Sequence, residues 1–444
     1  MNTTDDQIAS AVKQASILLN QKDVSSAINV LKAVRGINGF ENSKEAFDML
    51  QRIGCFCRKK SISSIIPRLK LEGHTNSVTS VALNPDGRTM LSASKDGTLR
   101  IWDIHSGECL KVLSGGAINA MAITPDGNFA MCGGDYSGLT LWNLQTGSPI
   151  KSFDDKEWKG RQWPVKSVAV SADGRLALSA IASSLMLWDL QTGQCLKHLW
   201  VETTFISSVT FRSDSHFALA GSDGLRLWDI HAGKCIRTFR IKLSFGFADV
   251  FASAFGINGA WGFAGTCGEL KIWDLKTGEI VKNLRHGGDV LSVAISADGQ
   301  WAASGCRNNE VYVWDLHSGQ CVKTLKEHLN NVTSVALSTD NRWLVSGSDD
   351  KTLRVWELEW DYEFPGWADW DDEAMLFLHE FLLQHRAIGP DGLTRDGQPV
   401  WAEEDVNQLL LKLQYCGYGW LRSEGVKSRL TAMAQAWPLI QATM

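Results

Sequence analysis

A short apolar segment that ends in tryptophan and an acid, or its amide, returns seven times along this chain and limits the folds open to it. In the first copy, Thr98 to Asp103, apolar side chains alternate with other residues, and this period of two indicates a β-strand rather than a helix. Successive tryptophans lie 40 to 46 residues apart. The seven pairs are Trp102-Asp103, Trp142-Asn143, Trp188-Asp189, Trp228-Asp229, Trp273-Asp274, Trp314-Asp315 and Trp356-Glu357.

Each unit has further strand and turn signals around that segment. A first strand such as Ser80-Val81-Ala82 leads to a turn pair such as Asp86-Gly87, which tolerates the positive φ of a tight hairpin. Small residues fill the second strand, and an outer strand such as Cys109 to Leu113 follows the tryptophan. Four short strands in a unit of this length predict a β-propeller. Because one blade cannot bury both of its faces, seven blades are expected to stack around an axis.

This pattern, from about Arg68 to Glu357, resembles the WD-repeat family. The close similarity between copies, such as Leu144 to Gly147 and Leu190 to Gly193, looks like that of bacterial WD-repeat proteins. The expected fold class is all-β: a seven-bladed β-propeller closed by an N-terminal strand and flanked by small α-helical N- and C-terminal regions. Residues 67–71 match the outer strands of other units, yet no outer strand follows Glu357. They are therefore expected to complete the last blade and to remove an exposed edge.

Three segments are predicted along the chain: a helical N-terminal region at 1–60, the propeller at 61–360 and a helical C-terminal domain at 361–444. Apolar residues recur at helical spacing in the first segment, where Asn42 and Glu45 resemble a capping box. These helices either lie against the propeller or form a docking arm. The last segment predicts helices at about 372–386, 403–415 and 423–437. A basic run at 58–60 and an acidic stretch at 359–373 are interpreted as solvated surface.

Composition and net charge indicate the cellular compartment of the protein and the classes of partner that it binds. A net charge of −5 gives no electrostatic footprint for nucleic acid. The longest apolar stretches fall short of the roughly 18 residues needed to span a bilayer, and the polar N-terminus lacks a signal pattern. Four of the ten cysteines occupy one repeat position on separate blades, so reduced thiols are expected. The prediction is a cytoplasmic protein with no membrane and no nucleic acid as partner.

Candidate catalytic and metal-binding patterns are near misses. Cys55-Phe56-Cys57 has no second pair at ligand spacing, and His379 and His385 are six residues apart, which turns them away from each other on a helix. The glycines are turn glycines of the repeat and not a phosphate-binding loop. The chain is therefore predicted to be no enzyme and to need no cofactor or metal.

The family resemblance implies a hydrogen-bonded tetrad of His, Ser, Asp and Trp in a well-formed blade. Blade 1 and blade 7 have complete sets, which are His74, Ser92, Asp96, Trp102 and His328, Ser346, Asp350, Trp356. In blade 6, Asn308 replaces the acid, and blades 2 to 5 depart further. Blades 6, 7 and 1 are therefore expected to be the best protected in hydrogen exchange.

The resemblance also implies that partners dock on the face that bears the loops leading into each blade. Mapping the positions of that face onto this sequence gives Lys95, Lys166, Phe205, Asp249, Phe251, Asp289, Leu291, Arg307 and Asp349, and the long loop before blade 3 adds Trp163. Four of them, Trp163, Phe205, Phe251 and Leu291, are expected to form an apolar centre with charges around it. Aromatic residues and arginine are enriched in binding hot spots. Alternatively, the aromatic loops pack over the blades or receive the terminal helices.

The predicted function is a non-enzymatic protein–protein interaction scaffold or adapter that binds a protein or peptide on the loop face. One alternative is a sensory or regulatory subunit of a multi-protein enzyme system, contacting a catalytic partner through the C-terminal helices. Another is an enzyme that uses the propeller channel as a pocket. That alternative needs convergent titratable groups, and the sequence offers Asp249, Asp289 and Asp349 there without an obvious base or metal set.

Overall fold

The computed structural model describes residues 3–35, 37, 43–135, 138–153, 164–201, 205–241, 249–257, 259–388 and 395–437. The chain divides into two compact units. The propeller unit contains residues 65–358 and 379–400, and the terminal unit contains residues 1–64, 359–378 and 401–444. Segments from both ends of the chain thus share one unit, whereas the sequence analysis treated them as two separate segments.

Seven four-stranded antiparallel sheets form the propeller, as predicted. Blade 1 contains β2 (Val78–Leu83), β3 (Thr89–Ser94), β4 (Thr98–Asp103) and β5 (Cys109–Ser114). Blade 2 contains β6 (Ile118–Ile123), β7 (Phe129–Gly134), β8 (Leu139–Asn143) and β9 (Pro149–Phe153). Blade 3 contains β10 (Val165–Val170), β11 (Leu176–Ile181), β12 (Ser184–Asp189) and β13 (Cys195–Trp200). Blade 4 contains β14 (Ser208–Phe211), β15 (Phe217–Gly221), β16 (Leu225–Asp229) and β17 (Lys234–Phe239).

Blade 5 contains β18 (Ala252–Phe255), β19 (Trp261–Thr266), β20 (Glu269–Asp274) and β21 (Ile280–Arg285). Blade 6 contains β22 (Val290–Ile295), β23 (Trp301–Cys306), β24 (Val311–Asp315) and β25 (Gln320–Leu325). Blade 7 contains β26 (Val332–Leu337), β27 (Trp343–Ser348), β28 (Leu353–Glu363) and β1 (Arg58–Leu71), in the order β1-β28-β27-β26. The N-terminal strand therefore supplies the outer strand of the last blade, which confirms the predicted closure.

The core of the propeller lies between neighbouring blades, where small residues of one blade receive a larger side chain of the next. A Cβ atom on Gly133 of β7 would lie 2.4 Å from the Val165 side chain of the next blade. On Gly265 of β19 it would lie 2.7 Å from the Val290 backbone oxygen. Glycine at these positions allows the close approach of successive sheets.

Basic side chains of the outer strands add a second set of contacts between blades, which sequence reasoning missed. Lys111 donates to the Leu144 carbonyl of the next blade at 3.2 Å, and Arg237 donates to the Lys276 carbonyl at 2.8 Å. Lys151, Lys197 and Lys282 make equivalent contacts with turn carbonyls of their neighbours. The same position thus joins five successive pairs of blades.

Blade 7 is closed by a buried carboxylate. Glu357 in β28 accepts hydrogen bonds from Arg68 in β1 and Arg342 before β27, each at 2.7 Å. At the matching position of other blades the acid caps the following turn, as when Asp103 accepts from the Ser106 backbone at 2.7 Å. Glu357 has no such turn after it, and its side chain instead joins the strands on either side.

The terminal unit is mainly helical. It contains α1 (Thr3–Asn20), α2 (Val24–Val34), α3 (Lys44–Gly54), α5 (Glu403–Leu413), a π-helix (Gln414–Tyr418) and α6 (Ser423–Gln435). A 3₁₀ turn (Asp372–Ala374) precedes α4 (Met375–Gln384), which begins in this unit. The C-terminal helices agree with the predicted spans to within a few residues. The hairpin of β29 (Arg386–Ile388) and β30 (Arg395–Pro399), in the propeller unit, was not predicted.

The N-terminal helices pack with the C-terminal segments of their own unit. Lys32 of α2 donates to the Tyr362 carbonyl at 2.9 Å, and Lys59 donates to the Tyr415 carbonyl at 2.8 Å. Helix α3 is capped by Ser43, whose hydroxyl accepts from the Ala46 backbone at 3.3 Å. Asn42, the residue proposed for that cap, lies outside the described residues.

The interpretation of the two charged runs as solvated surface is wrong for several of their members. Arg58 pairs with Asp371 at 2.7 Å, and Lys59 is buried. Lys60 and Glu363 do agree with the interpretation, since their side chains are 70% and 59% exposed. Glu359 is buried and pairs at 2.7 Å with Arg35, the residue that follows α2. The runs are 300 residues apart in sequence, but they meet because β1 and β28 are adjacent strands of one sheet.

Candidate functional site

The loops that lead into each blade and the turns between its second and third strands lie at the same end of the sheet. We call this surface the loop face. The Lys95 amide donates to the Ser77 carbonyl at 3.0 Å, and the Arg307 amide donates to the Asp289 carbonyl at 2.9 Å. The Asp349 amide makes the same contact with the Asn331 carbonyl at 3.0 Å. Nine of the ten predicted site residues are described in the structure, and Trp163 lies outside the described residues.

The predicted face residues differ in exposure. Phe205 has 59% of its surface exposed, whereas Phe251 and Leu291 are half-buried. The charged residues Lys95, Lys166, Asp249 and Arg307 are exposed, and Asp289 and Asp349 are half-buried. The face therefore presents both aromatic and charged groups to solvent.

Three of the predicted residues form one contact group at the junction of blades 5 and 6. The guanidinium of Arg307 pairs with the Asp289 carboxylate at 2.6 Å and lies 5.5 Å from the centre of the Phe251 ring. Burial, followed by the neighbouring carboxylates of Asp289 and Asp249, raises the pKa of the Cys267 thiol beside them. The sequence predicted an apolar centre that includes Phe251 with charges around it, and Arg307 is one such charge; Cys267 was not predicted.

Two acids of the loop face are held by amides of their own blade. The Asn331 side chain donates to Asp349 at 3.0 Å, and the Asn119 side chain donates to Asp135 at 2.7 Å. The sequence analysis named Asp349 but not the other three residues. Asn119 and Asp135 occupy the repeat positions of Leu291 and Arg307, so extending the mapping to blade 2 would have found them.

Hydroxyl groups join neighbouring blades just below the loop face. Thr79 donates to the Ile118 carbonyl of blade 2 at 2.8 Å, and Thr333 donates to the Val78 carbonyl of blade 1 at 2.5 Å. Ser207 contacts the Val250 carbonyl of blade 5 in the same way. These bonds fix the loop-face residues of one blade against those of the next.

The residues of the predicted tetrads contact each other in blade 1. His74 Nδ1 donates to Asp96 at 2.8 Å, since the carboxylate can only accept. Ser92 bonds with His74 Nε2 at 2.7 Å and accepts from the Trp102 indole at 2.8 Å. Asp96 also accepts from the Thr75 backbone at 2.9 Å, which anchors the loop leading into the blade.

Blade 7 repeats this arrangement. His328 bonds with Asp350 at 2.8 Å and with Ser346 at 2.6 Å, and its ring lies edge-on to Trp356 with 6.2 Å between ring centres. Asp350 accepts from the Leu329 backbone at 2.9 Å. Both loops at the closure are thus held by a buried, fully bonded carboxylate.

Blade 6 lacks the acid of the tetrad, and a tyrosine that was not predicted from the sequence makes one of its contacts. His286 donates to the Leu284 carbonyl at 3.0 Å and bonds with Ser304 at 2.7 Å. The Tyr312 hydroxyl accepts from the Gly287 backbone at 3.1 Å and donates to Glu310 at 2.5 Å. Tyr312 therefore takes over the loop-anchoring contact that Asp96 makes in blade 1.

Burial and hydrogen bonding set the titration of these groups. Burial lowers the pKa of His286 to about 4, against the opposing effect of its bond with Leu284, and burial likewise lowers the pKa of His74. Burial alone would raise the pKa of Asp96, but its bonds from Thr98, Thr75 and His74 hold it well below the usual value. The histidines are therefore neutral and the carboxylate is ionised at pH 7.

The middle of each innermost strand carries a residue that, in most blades, has no reactive side chain. One position in the middle of each first strand is half-buried and carries alanine in six blades and threonine in the other. These residues are Ala82, Ala122, Ala169, Thr210, Ala254, Ala294 and Ala336. Across the described part of the chain, no group of three or more His, Cys, Asp or Glu residues could hold a metal ion.

Two further findings concern the cysteines and membrane-spanning helices. None of the ten cysteines forms a disulfide. No helix within the described ranges combines the length and the apolar character needed to cross a membrane.

Comparison with known proteins agrees with this architecture. The family model described as "WD domain, G-beta repeat" (WD40) matches residues 66–103, 107–143, 278–315 and 319–357. These segments correspond to blades 1, 2, 6 and 7. In blades 3 to 5 the first three strands lie outside the matched segments. The turn between their second and third strands is shorter than in blade 1, by one residue in blades 3 and 5 and by two in blade 4.

Several curated relatives share the repeat. Nuclear distribution protein PAC1 of Arthroderma benhamiae is 27% identical over 238 residues, which are 50% of this chain and 51% of the relative. WD repeat-containing protein SL1-17 of Schistosoma mansoni is 31% identical over 159 residues, covering 35% and 52%. Small ribosomal subunit protein RACK1y of Oryza sativa subsp. japonica is 49% identical over 51 residues, covering 12% and 15%. The chain thus spans about half the length of the first two relatives. All three are eukaryotic, so they do not support the resemblance to bacterial WD-repeat proteins.

Proposed function

Because the chain carries WD40 repeats closed into a seven-bladed propeller, we propose that it is a non-enzymatic scaffold or adapter. Its binding surface is the loop face, and its partner is a protein or peptide. WD40 proteins generally act as protein-interaction scaffolds. One relative is named as a small ribosomal subunit protein, and this chain is proposed to work within a larger assembly in a similar way.

The observation that carries this proposal is the combination of exposed recognition groups with a fixed frame. Phe205 is 59% exposed, and Arg307 lies over Phe251 at the junction of blades 5 and 6. The hydroxyl bonds from Thr79 and Thr333 hold adjacent blades together beneath these residues. A surface ordered before binding loses less conformational entropy when a partner docks.

The supporting evidence against an enzyme is chemical. Six of the seven residues at the half-buried position of the first strands are alanines, which provide no acid, base or nucleophile, and the seventh is Thr210. Asp289 is paired with Arg307, and Asp349 accepts from Asn331. Both carboxylates thus make structural contacts, and the titratable group beside Asp289 is the Cys267 thiol, whose raised pKa favours its protonated form. We extend the proposal to a cytoplasmic protein that binds neither membrane nor nucleic acid, on the basis of its net charge of −5.

A second candidate is a regulatory subunit that contacts a catalytic partner through the terminal unit. The observation in its favour is a groove of about 640 Å³ within that unit, lined by apolar residues such as Trp367 and Leu413 and by charged residues such as Arg422. Trp367 at its rim is 38% exposed, and Phe56 packs edge-on to it with 6.0 Å between ring centres. Because both ends of the chain build this groove, the C-terminal helices alone would not provide the contact.

Affinity capture from the native host tests the proposed function. The bait is the full chain, compared with the double variant Phe205→Glu/Phe251→Glu. A matched control, Leu110→Glu/Ile236→Glu, places the same charges at outer-strand positions that are 50% and 54% exposed. Loss of a partner with the loop-face variant alone supports the proposal, provided that circular dichroism shows both variants folded. Retention of all partners would instead direct attention to the terminal unit, where Trp367→Asp tests the second candidate.

A further inference from the structure

We infer that blades 5 to 7 of the loop face recognise a basic side chain of the partner together with an adjacent aliphatic or aromatic one. This inference rests on the proposed function and adds the chemistry of the partner segment. The residues concerned are Asp249, Phe251, Asp289, Leu291, Arg307 and Asp349, which we call the acidic sector.

The charges of the acidic sector are unbalanced. It contains three carboxylates and one guanidinium, which gives a net charge of −2. The guanidinium of Arg307 is already paired with Asp289 at 2.6 Å. Asp349 accepts from a neutral amide, and Asp249 is exposed. Within the described ranges, neither of these two acids pairs with a cation. A basic side chain of the binding partner would therefore pair with one of them.

Two exposed residues elsewhere on the loop face have the opposite charge. Lys95 of blade 1 and Lys166 of blade 3 are exposed and basic. A partner segment with a basic residue is therefore attracted to blades 5 to 7 and repelled from blades 1 and 3. Complementary charges of this kind fix the orientation and the register of a docked segment more than they add affinity.

Apolar surface accompanies these charges. Phe251 and Leu291 are half-buried, so each keeps part of its side chain in solvent beside a carboxylate. One face of the Phe251 ring is already covered by Arg307, at 5.5 Å. The apolar residue of the partner therefore contacts the remaining surface of Phe251 and Leu291, while the neighbouring basic residue reaches Asp249 or Asp349.

A random dodecapeptide phage library, selected on the full chain, provides the probe. Selected clones are made as synthetic peptides, and their dissociation constants are measured for the wild type and for Asp249→Asn/Asp349→Asn. The control Glu108→Gln/Glu279→Gln removes the same two charges from exposed turns at the opposite end of the sheets. We expect Lys or Arg beside an aliphatic or aromatic residue in most clones. The acidic-sector variant should weaken binding about fivefold, which is the combined effect of losing two charge contacts at the surface. The control should bind the peptides as tightly as the wild type.

The outcomes separate this inference from the proposed function. Peptides that lack basic residues, or that bind the acidic-sector variant as well as the wild type, overturn the inference. If such peptides still lose affinity with Phe205→Glu/Phe251→Glu, the loop face remains the binding site. Peptides insensitive to every loop-face variant contradict both statements. A library that yields acidic clones, or none, also overturns the inference, and the capture experiment then decides the proposed function by itself.

Discussion

The buried carboxylate of Glu357 should contribute more to the stability of the propeller than the acid at the matching position of any other blade. Its side chain is 3% exposed and accepts from Arg68 and Arg342, both at 2.7 Å. These two arginines come from before β27 and from β1, on opposite sides of β28. The change Glu357→Gln keeps the shape of the side chain and removes the negative charge that both guanidinium groups contact.

Removing one member of a buried ion pair costs roughly 3–5 kcal/mol. The side chain of Arg342 is 13% exposed and that of Arg68 is 26% exposed, so both positive charges keep part of their hydration in the variant. We therefore expect Glu357→Gln to lower the free energy of unfolding by about 2–4 kcal/mol. Glu357→Asp keeps the charge but shortens the reach, and it should cost less than Glu357→Gln.

Urea unfolding followed by tryptophan fluorescence measures this loss, with Glu108→Gln as a control that removes an exposed acid from a turn. A double-mutant cycle with Arg68→Met separates the pair from other effects of each change. The reasoning is refuted if Glu357→Gln unfolds within about 0.5 kcal/mol of the control, which is the range of ordinary surface substitutions.

Three other predictions concern the tetrads and their replacements. Because the pKa of His286 falls from 6.5 unfolded to about 4 folded, the unfolded state binds the proton first, and stability should decline as the pH falls from about 6.5 to 4. Asp96 and Asp350 have lowered pKa values, so their protonation should reduce the free energy of unfolding further below about pH 4. A urea midpoint that stays constant from pH 7 to 5 would contradict the prediction for His286. The Trp228 indole is buried and has no acceptor among the described residues. Ala220→Ser places a hydroxyl at the repeat position from which Ser92 accepts the hydrogen bond of Trp102. The gain should be about 1 kcal/mol in thermal unfolding, whereas no gain or a loss would show that the hydroxyl cannot reach. Finally, amides of blades 6, 7 and 1 should exchange more slowly than those of blades 3 to 5, and equal protection would count against a stabilising role of the tetrads.

Much of the fold could be predicted because the repeat makes one strong signal seven times. The tryptophan period gave the number of blades, and the extra outer strand before the first unit gave the closure through residues 67–71. Both depend on alignment within the sequence itself. The tetrad residues of blades 1 and 7 could be placed for the same reason.

The rest depended on contacts between residues far apart in sequence. The acidic stretch from Glu359 to Glu373 looked solvated because the residues that pair with it, such as Arg35 and Arg58, lie some 300 positions earlier. Tyr312 was missed because it anchors a backbone amide with a different chemical group at a different repeat position from the acid that it replaces. Compensation of this kind leaves no periodic signal.

Photo-crosslinking is the most direct test of the loop face as the protein-binding surface. A photoreactive phenylalanine analogue is incorporated in the full chain at one of five positions, and each protein is irradiated in extract of the native host. The positions are Lys95 and Phe205 on the loop face, Ile236 and Val322 on outer strands, and Trp367 in the terminal unit. The account predicts a partner adduct from Lys95 and Phe205 and none from Ile236 and Val322. Adducts that form equally from the outer strands, or only from a probe at Trp367 in the terminal unit, would contradict it.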